Sequence, residues 1–301
     1  MKEGDEMSNS DMKAILSILT LVIVATLVAL AGSQGKSVSV DIAGGTPLLL
    51  LCMGISFLIQ WLVFIPSYLS KTEKYFDLTG GLTFLSLTVL ILILTEALTI
   101  ISFLLAALVA IWAIRLSSFL FLRIREDGHD KRFTEVIPHK TKFLFYWTFQ
   151  GFWAFVTPVV VFTALTSQNI SDKIEITTVI GLIIWLTGFL IEVVADRQKR
   201  AFRKFSANKN KFIDSGLWAW SRHPNYFGEI ILWIGISLIA LPTLMDWQYI
   251  TLLSIPYVIV MLVKVSGVAK LEEASDQKWG ADEAYQKYKT HTPVIIPRRP
   301  R

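Results

Sequence analysis

Eight long apolar runs dictate what this chain can fold into. They fall at about 14–31, 47–65, 80–95, 98–122, 143–166, 176–195, 227–245 and 249–265. Each is near the roughly 20 residues that a helix needs to cross a hydrocarbon core. In lipid the backbone must satisfy its own N–H and C=O groups, so runs of this length are helices. The expected fold class is all-α: a polytopic integral membrane protein with about eight transmembrane helices. The third and fourth runs are nearly continuous, and only TEALT (Thr95–Thr99) parts them. Hydrophobic residues make up 53% of the 301 positions, above the range of soluble domains.

Charge placement gives an expected orientation. With the N-terminus cytosolic, all of the 29 lysines and arginines except Lys36, Lys173 and Arg115 fall in cytosolic segments. Arg115 lies inside the fourth run. This is the positive-inside pattern with both termini cytosolic, in a bacterial inner membrane or the endoplasmic reticulum. The net charge of +5 is thereby explained by topology, with no nucleic-acid partner expected. Membrane lipids and a lipid-like small molecule are the expected partners.

The first run ends in ALAGS (Ala29–Ser33), which resembles a signal-peptidase site. Its length and the acidic residues ahead of it (Glu3, Asp5, Glu6, Asp11) favour a retained helix; cleavage would leave seven spans. The expected organisation is a polar segment at 1–13, a transmembrane domain at 14–268 and a cytosolic tail at 269–301 that closes over a cofactor site. Cys52 is the lone cysteine, so no disulfide framework exists. The four histidines, at 129, 139, 223 and 291, show no metal-ligand spacing.

Two stretches concentrate polar chemistry. The first is GFLIEVVADRQKRAFRKF (Gly188–Phe205), leaving the sixth run. At roughly 100° per residue, Asp196, Lys199, Arg200 and Arg203 all fall within about 80° of Glu192. Carboxylates lie deeper on this face and bases farther out. A self-paired stripe would also satisfy this spacing. An intramembrane carboxylate such as Glu192, however, is costly and marks a functional site by default. A nicotinamide dinucleotide phosphate suits such an order: bases grip its phosphates, and carboxylates accept from ribose hydroxyls or a carboxamide.

The second stretch is SRHPNYFGE (Ser221–Glu229). Pro224 fits the first turn of a helix, whose N-terminus presents free N–H groups and partial positive charge. Arg222 and His223 add donors there. Asn225 and Glu229 share a helix face. Gly228 and Gly235 permit close helix approach. A capped helix with interfacial aromatics accounts for Trp218, Trp220 and Tyr226, but not for Arg222, His223, Asn225 and Glu229 together. The two stretches read as two walls of one polar pocket. In the tail, Glu272, Tyr285 and Tyr288 are candidates to close over it.

DRQKRAFR, GLWAWSRHPNYFGEIILWIGI and KWGADEAYQKYKTHTPVIIP resemble the C-terminal half of the steroid 5α-reductase family, and more closely an uncharacterised branch of it found in bacteria. IRLSSFLFLRIREDGHDKRF (Ile114–Phe133) resembles the same branch. The similarity covers roughly residues 75–297. Isoprenylcysteine carboxyl methyltransferases and sterol C14-reductases share related versions of the R-H-P-x-Y-x-G-E core. The resemblance implies a helical membrane fold that binds NADPH on its cytosolic side and reduces a carbon–carbon double bond conjugated to a ketone. Carried across, its cofactor contacts fall on Glu192, Asp196, Arg200, Arg203, Asn225 and Glu229. The family's ketone-polarising Glu–Tyr pair does not carry across. Trp112 stands at the tyrosine position, three before Arg115. IQWLVFIPSYL (Ile59–Leu69) holds Gln60 and no acid.

A reductase needs a donor for the developing enolate oxygen. Tyr226 and Tyr68 are the candidates, and Arg115 is expected to pair with a carboxylate near the cofactor. The alternative is a membrane methyltransferase using S-adenosylmethionine at the same helix mouth; Lys199, Arg200 and Arg203 argue against it. A non-catalytic membrane receptor or scaffold is the third reading.

Overall fold

The computed structural model describes residues 9–41, 45–265 and 267–300. Its contacts divide the chain into two compact units, residues up to 173 with 242–254, and 174–241 with 255 onward.

The first unit holds α1 (Asn9–Gly32), a two-residue hairpin of β1 (Ser39–Val40) and β2 (Thr46–Pro47), α2 (Leu48–Leu69), α3 (Phe76–Leu94), α4 (Ile100–Asp127), α5 (Lys140–Val156) and α6 (Val159–Thr166). The second holds α7 (Ile176–Lys204), α8 (Pro224–Ala240), nearly all of α9 (Ser254–Val260), α10 (Val268–Trp279) and α11 (Glu283–His291).

Among the described residues seven helices are long and apolar enough to cross a membrane: α1, α2, α3, α4, α7, α8 and the helical segment Asp246–Trp279 that includes α9. The chain is an all-α polytopic membrane protein, as the apolar runs predict. The narrow TEALT break is real: Thr99 and Ser102 form a reciprocal capping box that starts α4. The fifth run differs from its expectation as one continuous helix. It is broken into α5 and α6, bent by 50°, and together they make the eighth candidate span. Pro158 stands between them, where its ring and missing N–H interrupt the helical ladder.

The core of the first unit is aromatic at one end, where Phe64, Phe76, Phe133, Phe143 and Trp147 pack together. Deeper, hydrogen bonds link its helices. Gln60 Nε2 donates to Thr83 Oγ1 at 2.8 Å, and Ser56 Oγ to the Gly151 carbonyl at 2.8 Å. Such bonds hold helices together where water offers no alternative partner.

In the second unit glycines set the contact between α7 and α8. Gly181 lies against Gly235 and Gly188 against Gly228, one pair seven residues from the next on each antiparallel helix. A methyl group built at Gly181 would meet the Gly235 carbonyl oxygen at 2.6 Å, and one at Gly188 would meet the Gly228 carbonyl oxygen at 2.6 Å. The backbones therefore touch, which brings the polar end of α7 beside the start of α8.

Candidate functional site

The site grows from the α7–α8 contact. Gly228 abuts Glu192, whose backbone nitrogen would lie 2.6 Å from a methyl group built there. Glu192, Asp196 and Glu229 are buried, at 2%, 7% and 7% exposure. These three carboxylates and Lys199, Arg200 and Arg203 all interact within the protein. Lys199 Nζ sits 4.4 Å over the Trp218 ring. Trp218 donates from Nε1 to the Ala195 carbonyl at 3.0 Å, which anchors the α7–α8 loop to α7.

Pro224 is the first residue of α8, and His223 precedes it as N-cap. The tail is strapped onto this stretch. The backbone N–H groups of Arg222 and His223 donate to the carbonyls of Pro293 and Val294, and that of Arg298 donates to the Trp220 carbonyl. Ser221 Oγ donates to the carbonyls of Val294 and Ile295. Glu272 on α10 accepts from both sides of the motif, from Arg222 Nη2 at 3.2 Å and His223 Nε2 at 2.8 Å.

After these bonds, three polar atoms of the motif remain buried without a hydrogen-bond partner among the described residues: Arg222 Nε, His223 Nδ1 and Asn225 Oδ1. Buried polar groups are rarely left so, and each such atom asks for an explanation. The Tyr226 ring stacks on His223 at 5.6 Å and 6°.

The other tail candidates have structural duties. Tyr285 donates to Asp276 at 3.0 Å and Tyr288 to the Trp218 carbonyl at 2.8 Å. Both rings pack against Phe212. Burial, helped by the Asp276 carboxylate, pushes the Tyr285 phenol up to about 12. Burial raises Tyr288 as well. Both therefore stay protonated at neutral pH. Sequence reasoning did not single out Phe212, Asp276 or the carbonyls of 293–295. Backbone acceptors leave no residue-type signal, although the aromatic tail hinted at docking.

Tyr68 and Arg115 belong to the first unit. Tyr68 stacks on Phe64 at 5.7 Å, and Arg115 lies over the Phe119 ring at 5.4 Å. Trp112 is buried edge-on against Phe84.

Burial lowers the His223 pKa below its usual 6.5, reinforced by Lys199 and Arg222 and opposed by Glu272. The folded state therefore disfavours protonation of the ring. Between the lowered value and 6.5 the unfolded chain binds more protons, so this contribution to stability is present above 6.5 and fades as the pH falls below it. Thermal midpoints measured from about pH 7.5 to 5 should fall, and His223→Gln, which still donates to Glu272 without titrating, should flatten that fall. An unchanged slope in the variant would assign the pH dependence elsewhere.

The fold defines a polytopic membrane protein whose tail is strapped across the start of α8, beside the buried carboxylates of α7. The chain belongs to the family described as "Protein of unknown function (DUF1295)", which matches residues 63–292. A 59-residue segment is 41% identical to human (Homo sapiens) "3-oxo-5-alpha-steroid 4-dehydrogenase 1", and covers 20% of this chain and 23% of that protein. The resemblance to the steroid 5α-reductase family thus holds. No solved structure matches the chain.

Proposed function

We propose that the protein is an NADPH-dependent membrane reductase of a carbon–carbon double bond conjugated to a ketone in a lipid-like, steroid or isoprenoid, substrate. The observation that carries this reading is the set of buried, unpartnered atoms in Arg222, His223 and Asn225 beside the carboxylate-to-base stripe of α7. The residues fit a dinucleotide phosphate. Lys199, Arg200 and Arg203 would hold phosphates, with arginine able to bind them in a bidentate way. Glu192 and Asp196 would accept from ribose hydroxyls. Asn225 Oδ1 and Glu229 would accept from the carboxamide N–H₂. When bound, the nicotinamide supplies hydride to the β-carbon of the enone.

The protein's own part is to orient the cofactor, exclude water and present a proton. Tyr226 lies in the same unit as the cofactor residues, and its hydroxyl is the candidate donor to the developing enolate oxygen. With Trp112 at the family's tyrosine position and no acid in the stretch Ile59–Leu69 that holds Gln60, the family's ketone-polarising pair is not carried by these residues. Ketone activation therefore falls to another donor in this chain.

The reaction is testable with membranes containing the protein, a conjugated-ketone lipid and NADPH carrying deuterium at the transferable position. The expected product gains two hydrogens, one of them the label. Transfer of a methyl group from S-adenosylmethionine to a lipid, with no NADPH consumed, would replace this reading with the methyltransferase one.

A further inference from the structure

A cavity of about 330 Å³ opens in the first unit where α3 begins and α4 ends, lined by Lys74, Tyr75, Phe121, Ile124, Arg125 and Gly128. None of these residues takes part in the site above. Three carboxylates of the neighbouring segments, Glu73, Asp77 and Asp130, are engaged elsewhere. Glu73 accepts from the Asp130 backbone N–H at 2.7 Å. Asp77 faces Arg132 at 3.3 Å and Arg123 at 4.0 Å, and Asp130 pairs with Arg132. Among the described residues no carboxylate pairs with Lys74 or Arg125. Two cations thus line one cavity with neither paired to a carboxylate among the described residues, and their mutual repulsion falls if an anion enters.

We infer that this cavity holds a phosphate group, and that its source is the headgroup of an anionic membrane lipid. The walls favour a lipid over a soluble anion. Tyr75 is 53% exposed at the start of α3, where an apolar helix meets a polar loop. Aromatics at that level mark the membrane interface. Phe121 lines the cavity, and the neighbouring Leu122 is 43% exposed on α4, giving acyl chains an apolar surface to follow. Lysine and arginine at the headgroup level attract anionic lipid by about 1 kcal/mol each.

The test uses the full chain in neutral detergent, with lipid adducts counted by native mass spectrometry. The probes are phosphatidylglycerol, phosphatidylcholine and inorganic phosphate. The parent should retain phosphatidylglycerol over phosphatidylcholine. Lys74→Gln and Arg125→Gln should each weaken that preference about fivefold, the factor to which about 1 kcal/mol converts. The double variant should lose it. Lys74→Arg with Arg125→Lys keeps both charges and should keep the preference, which separates a charge effect from misfolding. The inference is overturned if the double glutamine variant still prefers phosphatidylglycerol, or if Lys209→Gln with Lys211→Gln, a basic pair of the second unit, weakens the preference equally. It is also overturned if inorganic phosphate at matched concentration displaces the lipid.

Discussion

Gly228→Leu should destroy the folded second unit. A side chain there starts 2.6 Å from both the Glu192 backbone nitrogen and the Gly188 carbonyl oxygen. These are backbone atoms, so no rotamer change relieves the clash and α7 must move as a body. Overpacking a well-filled core costs about 1–3 kcal/mol, sometimes more. With backbone on both sides, the upper end or beyond applies. Whole domains are stable by only about 5–15 kcal/mol. The expected result is a large drop in thermal midpoint, or loss of monodisperse protein in detergent. Gly54→Leu is the control. Gly54 lies on an exposed face of α2, and nothing lies within 4 Å of a methyl group built there. It should melt like the parent. If Gly228→Leu also does, α7 and α8 are not packed backbone to backbone.

The second large effect is on cofactor binding. Asn225→Ala removes Oδ1, which has no hydrogen-bond partner among the described residues, and leaves Pro224 and the start of α8 in place. Folding should change little, because Oδ1 makes no hydrogen bond to the described residues that the substitution would break. Losing a neutral hydrogen bond costs about 0.5–1.5 kcal/mol, and more where the partner is left unpaired. NADPH affinity should therefore fall roughly threefold to thirtyfold. Glu229→Gln keeps the shape and removes the charge, and so asks whether a carboxylate is required. If both variants bind NADPH like the parent, the pocket lies elsewhere. If both fail to fold, Asn225 and Glu229 serve packing rather than a ligand.

Much of the fold was legible because lipid leaves the backbone few options. Apolar runs of helical length therefore became helices, and even TEALT held as a boundary, through a capping box written in Thr99 and Ser102. The bend in the fifth run was one exception, and the eighth run was another, with 3-10 turns over Asp246–Leu253 and π turns over Met261–Val265 on either side of α9. Pro158 is visible in the sequence, but apolar composition stays continuous across it, so hydropathy alone reads one span. At the site, periodicity placed Glu192 and Asp196 on the buried face of α7, because both a helix face and burial follow from spacing. Gly228 and Gly235 signalled a close contact, yet their partners Gly181 and Gly188 belong to a different segment that spacing within one helix cannot identify. The bridge from Glu272 to Arg222 and His223 was equally hidden, since it joins residues about 50 positions apart and depends on how the tail folds back.

The central claim is that the mouth of α7 and α8 is built for a phosphorylated nicotinamide dinucleotide. Its most direct measurement is the thermal stability of the detergent-solubilised full chain with NADPH, NADH and S-adenosylmethionine in turn. A ligand that binds only the folded state raises stability by RT ln(1 + [L]/Kd). Lys199, Arg200 and Arg203 supply more positive charge than a ligand without the extra phosphate needs. NADPH should therefore raise the midpoint most, NADH less, and S-adenosylmethionine not at all. Equal shifts with NADPH and NADH, or a shift with S-adenosylmethionine alone, would contradict the account.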